Sequence, residues 1–580
     1  MVKLRLPKFP QKLLSAVALP KFMPHYREVD DDLIEDEVTG EAEKTEKADE
    51  PVVVREFRDE ANKSWWAYFD EYEYRETKEE SKNHKWWYWF EPGTSAAEKK
   101  LICKLDVFIA FYAFLGYWIK YIDTANLNNA YVSGMKEDLG MKGNDLINTQ
   151  VLFTVGQIIF ELPWVYFLPR VSVTYAVFFC ELVWATFTLV IYRAEGPAAL
   201  KGFRFVVGAA EAIFFPAVHY MLSCWYKPTE VSRRGGFFYM GQFLGVLTSG
   251  LLQSAAFRDL NGVHGLAGWK WMFIIDGCIS FGVAFIGLAL IPGTPTNCYS
   301  LWLTDDEIRL ARERMASNHS NLAKPTVKSF FNLKTWTNVL TSWHVYVLSI
   351  ANIFFFNVNN TSSGSFTLWL KSLQRYSTGK LNNLSTLPPA LGIVWVFISC
   401  FGADFTRKRF FMMVFAIILN FIANVVLAVW DVAESAKWFG FCMSYWSWAP
   451  SSILYPLIHD MMRHEVNQRN IEWMITYIMG LQSSAWVSRL IFPTVDSPSF
   501  PKGFSSCAAF SGAFIVTMAV AYVLYKRDEK KRAMEYGIFV FNSAKGETIP
   551  AEYQLTSEKV KNSDPSDEPS DEPSDSSSKE

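Results

Sequence analysis

Apolar segments of roughly 17–24 residues recur along this chain, each long enough to cross a hydrocarbon layer of about 30 Å as a helix. They fall near 105–122, 148–168, 173–192, 201–222, 235–255 and 271–291, then near 343–362, 385–403, 410–430, 437–457, 471–490 and 504–525. In lipid a backbone can satisfy its N–H and C=O groups only within a helix or a closed barrel. Segments of this length therefore commit the chain to a bundle of membrane helices. The fourth and eighth are the weakest by hydropathy, because Arg204 and Glu211 interrupt one and Pro388-Pro389 the other.

The mean hydropathy of only +0.07 averages these segments with strongly polar ends. Residues 1–100 read as a cytoplasmic tail, largely disordered, and 528–580 as a second, acidic disordered tail. Between them lie a first helical half over 101–292, a polar central loop over 293–342 and a second half over 343–527. The central loop carries an amphipathic helix at Thr304–Met315. The first tail begins basic, with Lys3, Arg5, Lys8, Lys12, Lys21 and Arg27, and could lean on an anionic leaflet or stay free. Its one early apolar run, Leu13–Leu19, is shorter than a usual signal-peptide core. The last residues repeat Pro-Ser-Asp-Glu and cannot bury a core.

Basic residues bias one set of loops, with Arg170, Lys227, Arg233, Arg234, Arg407, Lys408, Arg409, Arg463 and Arg469. The positive-inside rule then expects both tails and the central loop in the cytoplasm. A net charge of −3 gives no footprint for nucleic acid. Eight scattered cysteines show neither metal-ligand spacing nor a disulfide framework. Without a glycine-rich phosphate loop, ATP is not expected to drive anything, and no enzyme or cofactor chemistry is implied. Six spans, a long polar loop and six more describe a duplicated transporter better than a channel or receptor.

Several stretches resemble the major facilitator superfamily, and within it the fungal allantoate-permease branch of anion:cation symporters. They are Tyr121-Ile-Asp-Thr-Ala-Asn-Leu-Asn-Asn-Ala130, Arg204…Glu211…Pro216, Trp225-Tyr226…Glu230…Arg233 and Gly265-Leu-Ala-Gly-Trp-Lys-Trp-Met-Phe-Ile-Ile-Asp-Gly277. A narrower resemblance, to vitamin-carrying members of that branch, rests on Arg58-Asp-Glu-Ala61, Trp65-Trp66, Asn261-Gly-Val-His-Gly265 and Leu368-Trp-Leu-Lys-Ser372. It implies an all-α polytopic protein of 12 transmembrane helices in two pseudo-symmetric six-helix bundles. It further implies a plasma-membrane symporter that couples protons to import of a small carboxylate, biotin first. Pantothenate, allantoate, nicotinate, dipeptides and sulfonates are alternatives, as are a facilitative uniporter and a non-transporting nutrient sensor. The expected partners are the anion, protons and the lipid bilayer, with the chain monomeric. Two departures stand out: relatives carry Asp-Arg where this chain has Asp123-Thr124, and the loop after the second span keeps only Pro169-Arg170.

Ionisable residues inside a membrane are costly and usually face a cavity or one another. Arg204 and Glu211 are seven residues apart, two helical turns, and so share a face. The resemblance implies that Arg204 binds the anion and Glu211 couples protons; the alternative is a structural pair bracing helices. Asp123 and Glu161 are further proton candidates, or else a helix cap and a packing residue. Lys120, close to the missing arginine, could hold the substrate carboxylate or merely snorkel. Asn357, with Asn352, Asn359 and Asn360, offers an amide to substrate or to helix packing. Gly402-Ala-Asp404…Arg407 resembles a degenerate copy of the superfamily's loop motif and implies gating by Asp404 and Arg407. His219 reads as a packed polar residue rather than a proton shuttle, and Arg489 as a headgroup anchor. Of the sequons, only Asn383 falls where a glycan could be added.

Overall fold

In the computed structural model, which describes residues 23–27, 29, 54–61, 63–78, 89–90, 93–316, 333–359, 363–462 and 466–550, the chain divides into two compact units. The larger holds Met1–Asp36 and Phe90–Ala521, and the smaller joins Glu37–Trp89 to Tyr522–Glu580. The basic stretch over 1–22, Asn318, Trp86–Tyr88 and the acidic repeat lie outside the described residues.

Among the described residues, twelve helical segments each overlap an expected span. Spans one to six are Ala96–Asp138, Asp145–Arg170, Val173–Arg193, Pro197–Trp225, Pro228–Asp259 and Gly268–Leu290. Span seven is a pair, Leu333–Thr341 and Trp343–Asn357, bent by 62°. Span eight is Thr378–Ala403, nine is Arg409–Val429 and eleven is Val466–Ile491. Span ten runs from Glu434 to Met461 with a 3-10 turn at Ser444–Ser447, and span twelve is Gly503–Arg532. Among the described residues, eight helices qualify as spans by length and composition, or nine counting the bent pair. Spans five, ten and eleven fall short because they are more polar or broken. Their polar residues are buried against neighbouring helices, as Gln242, Ser249, Gln253 and Ser483 are.

The two features that weakened the fourth and eighth segments are accommodated locally. Pro388 and Pro389 sit in the first turn of Leu387–Thr406, where a missing N–H has no intrahelical partner to lose. In span four, Pro216 cannot donate to the preceding turn, and the helix breaks between Glu211 and Phe214. That break falls beside a buried acid.

Glycines set the closest helix approaches. A Cβ on Gly208 would lie 2.1 Å from the Phe153 carbonyl oxygen, and one on Gly156 would lie 2.5 Å from that of Phe205. Spans two and four therefore touch backbone to backbone. Gly241 and Gly245 do the same for spans one and five. The packing repeats between halves: span one lies on five as span seven lies on eleven. The halves meet where span two packs on eleven and span five on eight and ten.

On the face remote from the central segment, Asn382 donates to Ser133 at 2.9 Å and Ser254 to the Gly379 carbonyl at 3.1 Å, both across the halves. A continuous apolar cluster, including Leu127, Tyr131, Met135, Trp369, Phe441 and Phe500, closes the same face. At the opposite end the central helix is Asp305–Ala316, started by a capping box in which Thr304 Oγ1 accepts from Glu307 N. It is docked by the Arg314–Glu98 and Lys104–Glu307 ion pairs.

The smaller unit departs from the expectation of largely disordered tails. Glu56–Asp59 pairs in parallel with Ile538–Phe541. Lys526, 3% exposed along its side chain, bonds Glu73 at 2.9 Å, Arg75 bonds Glu529 at 2.7 Å, and Tyr74 packs with Ala533 and Ile538. Charges and aromatics that look soluble in isolation find partners more than 400 residues away, a separation over which no periodicity reports.

Candidate functional site

The charged residues inside the first half assemble into two crossed ion pairs. Lys120 and Asp123 stand one turn apart on span one, while Arg204 and Glu211 stand two turns apart on span four. Arg204 Nη1 donates to Asp123 Oδ1 at 2.8 Å, with side chains 1% and 0% exposed. Lys120 Nζ lies 3.0 Å from Glu211 Oε1. Asp123 Oδ2 also accepts from Trp184 Nε1 at 3.0 Å and Thr188 Oγ1 at 3.2 Å, both on span three. Gln157 Nε2 approaches Glu211 Oε1 at 3.4 Å, a reach that the Gly156–Gly208 contact permits. The Arg204 guanidinium lies 4.5 Å from the centre of the Phe153 ring.

This pairing goes against the alternative of a structural Arg204–Glu211 pair, because Glu211 is matched with Lys120. Sharing a helix face does not put two side chains in contact when each finds a closer partner on span one. Lys120 does not snorkel to a headgroup. It occupies the place of a buried cation, with its side chain 12% exposed against 1% for Arg204.

Beside these pairs, between the halves, lies a cavity of about 80 Å³. Span one contributes Tyr121, Thr124, Asn128 and Asn129, so the cavity abuts the turn that carries Lys120 and Asp123. Gln242, Asn359, Ser365, Ser385, Tyr445 and Trp448 add to its polar and aromatic lining. Trp448 Nε1 is buried without a hydrogen-bond partner. Asn357 does not line the cavity. Its amide donates to Ser483 Oγ at 2.8 Å and to the Ile353 carbonyl, tying span seven to span eleven. Asn359, two residues on, takes its place in the lining and donates to the Ser444 carbonyl at 2.7 Å.

Below the ion pairs an aromatic stack joins the halves. Phe215 lies 4.7 Å from Tyr477, which stacks on Trp473 at 5.1 Å. His219 packs against the same Trp473, its Nδ1 2.9 Å from the Phe215 carbonyl oxygen. Glu161 is 3% exposed in span two. Arg407 ends the span-eight helix with φ 54°, and nothing is described of the Asp404 side chain. Asn383 is exposed on the short helix Thr378–Leu384.

Sequence reasoning passed over Trp184 and Thr188 as holders of Asp123, the polar lining at Gln242, and two more buried acids. Glu181 accepts from Tyr112 Oη at 2.6 Å, and Asp276 is fully buried in span six. Both acids interrupt apolar spans, so the rule that singled out Arg204 and Glu211 would have found them.

Twelve helices in two repeated halves, with a charged interior beside a cavity between them, define a membrane transporter. Residues 113–488 match the Major Facilitator Superfamily, and the chain belongs to that family. It is 43% identical over 501 residues to the vitamin H transporter of Saccharomyces cerevisiae, covering 85% of this chain and 84% of the relative. It is 30% identical over 457 residues to a pantothenate transporter of Schizosaccharomyces pombe, covering 76% and 86% respectively. Among solved structures, the nucleoside transporter NupG superposes with a TM-score of 0.51 at 9% identity, covering 72% of this chain and 99% of that one, a likeness of fold alone.

Proposed function

We propose that this transporter imports a small carboxylate, biotin in the first place, by proton symport across the plasma membrane. The observation that carries the reading is the pair of crossed ion pairs, Asp123–Arg204 and Lys120–Glu211, buried beside the cavity. A cation committed to an internal acid can be released to an external anion only if that acid is neutralised, because an unpaired charge in a low-dielectric interior costs several kcal/mol. A proton on Glu211 frees Lys120, the more exposed cation, to meet the substrate carboxylate. A proton on Asp123 would free Arg204 to add its planar fork of donors. Once the halves rock, loss of the protons lets Glu211 and Asp123 reclaim their cations and expel the anion. Asn359, rather than Asn357, is positioned to bond the uncharged part of the substrate, and Asp404 and Arg407 are assigned to gating.

Similarity to the vitamin H transporter supports biotin, and similarity to the pantothenate transporter favours pantothenate as the second candidate. Cells whose only carrier is this chain should accumulate labelled biotin above the external concentration, and a protonophore should collapse the gradient. Accumulation of pantothenate instead would change the substrate, and uptake that only equilibrates would remove the proton coupling.

The basic-loop bias supports a cytoplasmic location for both termini. Terminal tags should be reachable only after permeabilisation, and a tag beside Asn383 on intact cells. An N-terminal tag labelled on intact cells would reverse the orientation.

A further inference from the structure

Asp276 takes no part in the crossed ion pairs, yet it is buried in their midst. It lies in span six, 0% exposed, and its charged neighbours are Asp123 on span one and Arg204 and Glu211 on span four. Span three also packs against span six, but its acid, Glu181, is engaged by Tyr112. The one hydrogen bond to the Asp276 carboxyl group comes from Asn126 Nδ2, which donates to Oδ2 at 3.3 Å. The other oxygens of both groups, Asp276 Oδ1 and Asn126 Oδ1, are completely buried and have no partner.

An amide and a carboxyl group joined by one N–H···O bond can close a second bond between their remaining oxygens, provided one of those oxygens carries hydrogen. An ionised Asp276 has none to offer. It would leave two acceptors unsatisfied in a dry interior, each at the full cost of its desolvation, and would set a second negative charge beside Asp123. One proton removes all three penalties. It also balances the cluster, because Asp123 and Glu211 are then matched by Arg204 and Lys120.

We infer that Asp276 is a positioning residue that holds a proton on Oδ1 and donates it to Asn126 Oδ1, and that this neutral acid–amide pair fixes Asn126 and span one so that Asp123 can stay ionised against Arg204. The inference does not rest on the identity of the substrate or on proton coupling.

Infrared difference spectra of the purified, full-length protein test it directly. Wild type near neutral pH should show the carbonyl stretch of a protonated carboxyl group that Asp276→Asn removes and Glu211→Gln leaves in place. A functional pair of variants supplies the second readout. Asp276→Leu offers no hydrogen-bonding group and should lower the affinity for labelled biotin roughly tenfold or more. Asp276→Asn, whose amide both accepts and donates as a neutral acid does, should recover most of that loss. The inference is overturned if no carboxyl band depends on Asp276, or if Asp276→Asn folds normally but binds as poorly as Asp276→Leu.

Discussion

Replacing Arg204 by alanine is expected to abolish high-affinity substrate binding and to raise the dissociation constant by two to three orders of magnitude. Arg204 is 1% exposed, and its Nη1 is bonded to Asp123, so truncation removes a buried cation from a matched pair. Breaking such a pair costs about 3–5 kcal/mol, chiefly because the surviving charge is stranded. Here the stranded group is Asp123, held further by Trp184 and Thr188. Arg204→Lys keeps the charge but loses the planar fork, and should weaken binding by roughly tenfold. Adding Asp123→Asn to Arg204→Ala removes the stranded charge and should restore thermal stability without restoring affinity. Binding of labelled substrate to purified variants, with melting temperatures measured in parallel, separates the two effects. Wild-type affinity in Arg204→Ala would make Arg204 purely structural and leave the anion to Lys120.

Glu211→Gln should abolish uphill accumulation while leaving exchange of external for internal substrate. The neutral amide mimics a protonated carboxyl and frees Lys120, now 3.0 Å from Glu211 Oε1, for the anion. Without an acid to reclaim Lys120, proton release can no longer drive the anion off, and the internal concentration should only match the external one. Lys120→Ala should fail in the opposite sense: binding is lost first, because the cation next to the cavity-lining Tyr121 has gone. Uptake and counterflow in the same vesicles report both quantities. Wild-type accumulation by Glu211→Gln would move the coupling to another acid, first Asp123, which holds Arg204, and then Glu161.

The spans, their duplication and the odd residues within them were legible because each rests on a local cost. A long apolar stretch must be helical in lipid wherever its neighbours lie, and a charge inside it must be compensated by something. Arg204, Glu211, Asp123 and Lys120 could therefore be singled out before any partner was known. The partners could not. Which acid meets which cation depends on how spans one and four are rotated about their axes and how closely they approach. Contacts such as that of Gly116 with the Phe214 ring, and the break that Pro216 imposes beside Glu211, set that geometry. A helix sequence defines a face but not what the face looks at, so Lys120 rather than Arg204 beside Glu211 emerged only in three dimensions. Asn357 and Asn359 differ in the same way: two residues apart at the end of span seven, one is turned to Ser483 and the other to the cavity. The folded tails carry the same lesson further. The parallel pairing of Glu56–Asp59 with Ile538–Phe541 and the burial of Lys526 against Glu73 join segments with no shared periodicity, and only tertiary structure brings their donors and acceptors within bonding distance.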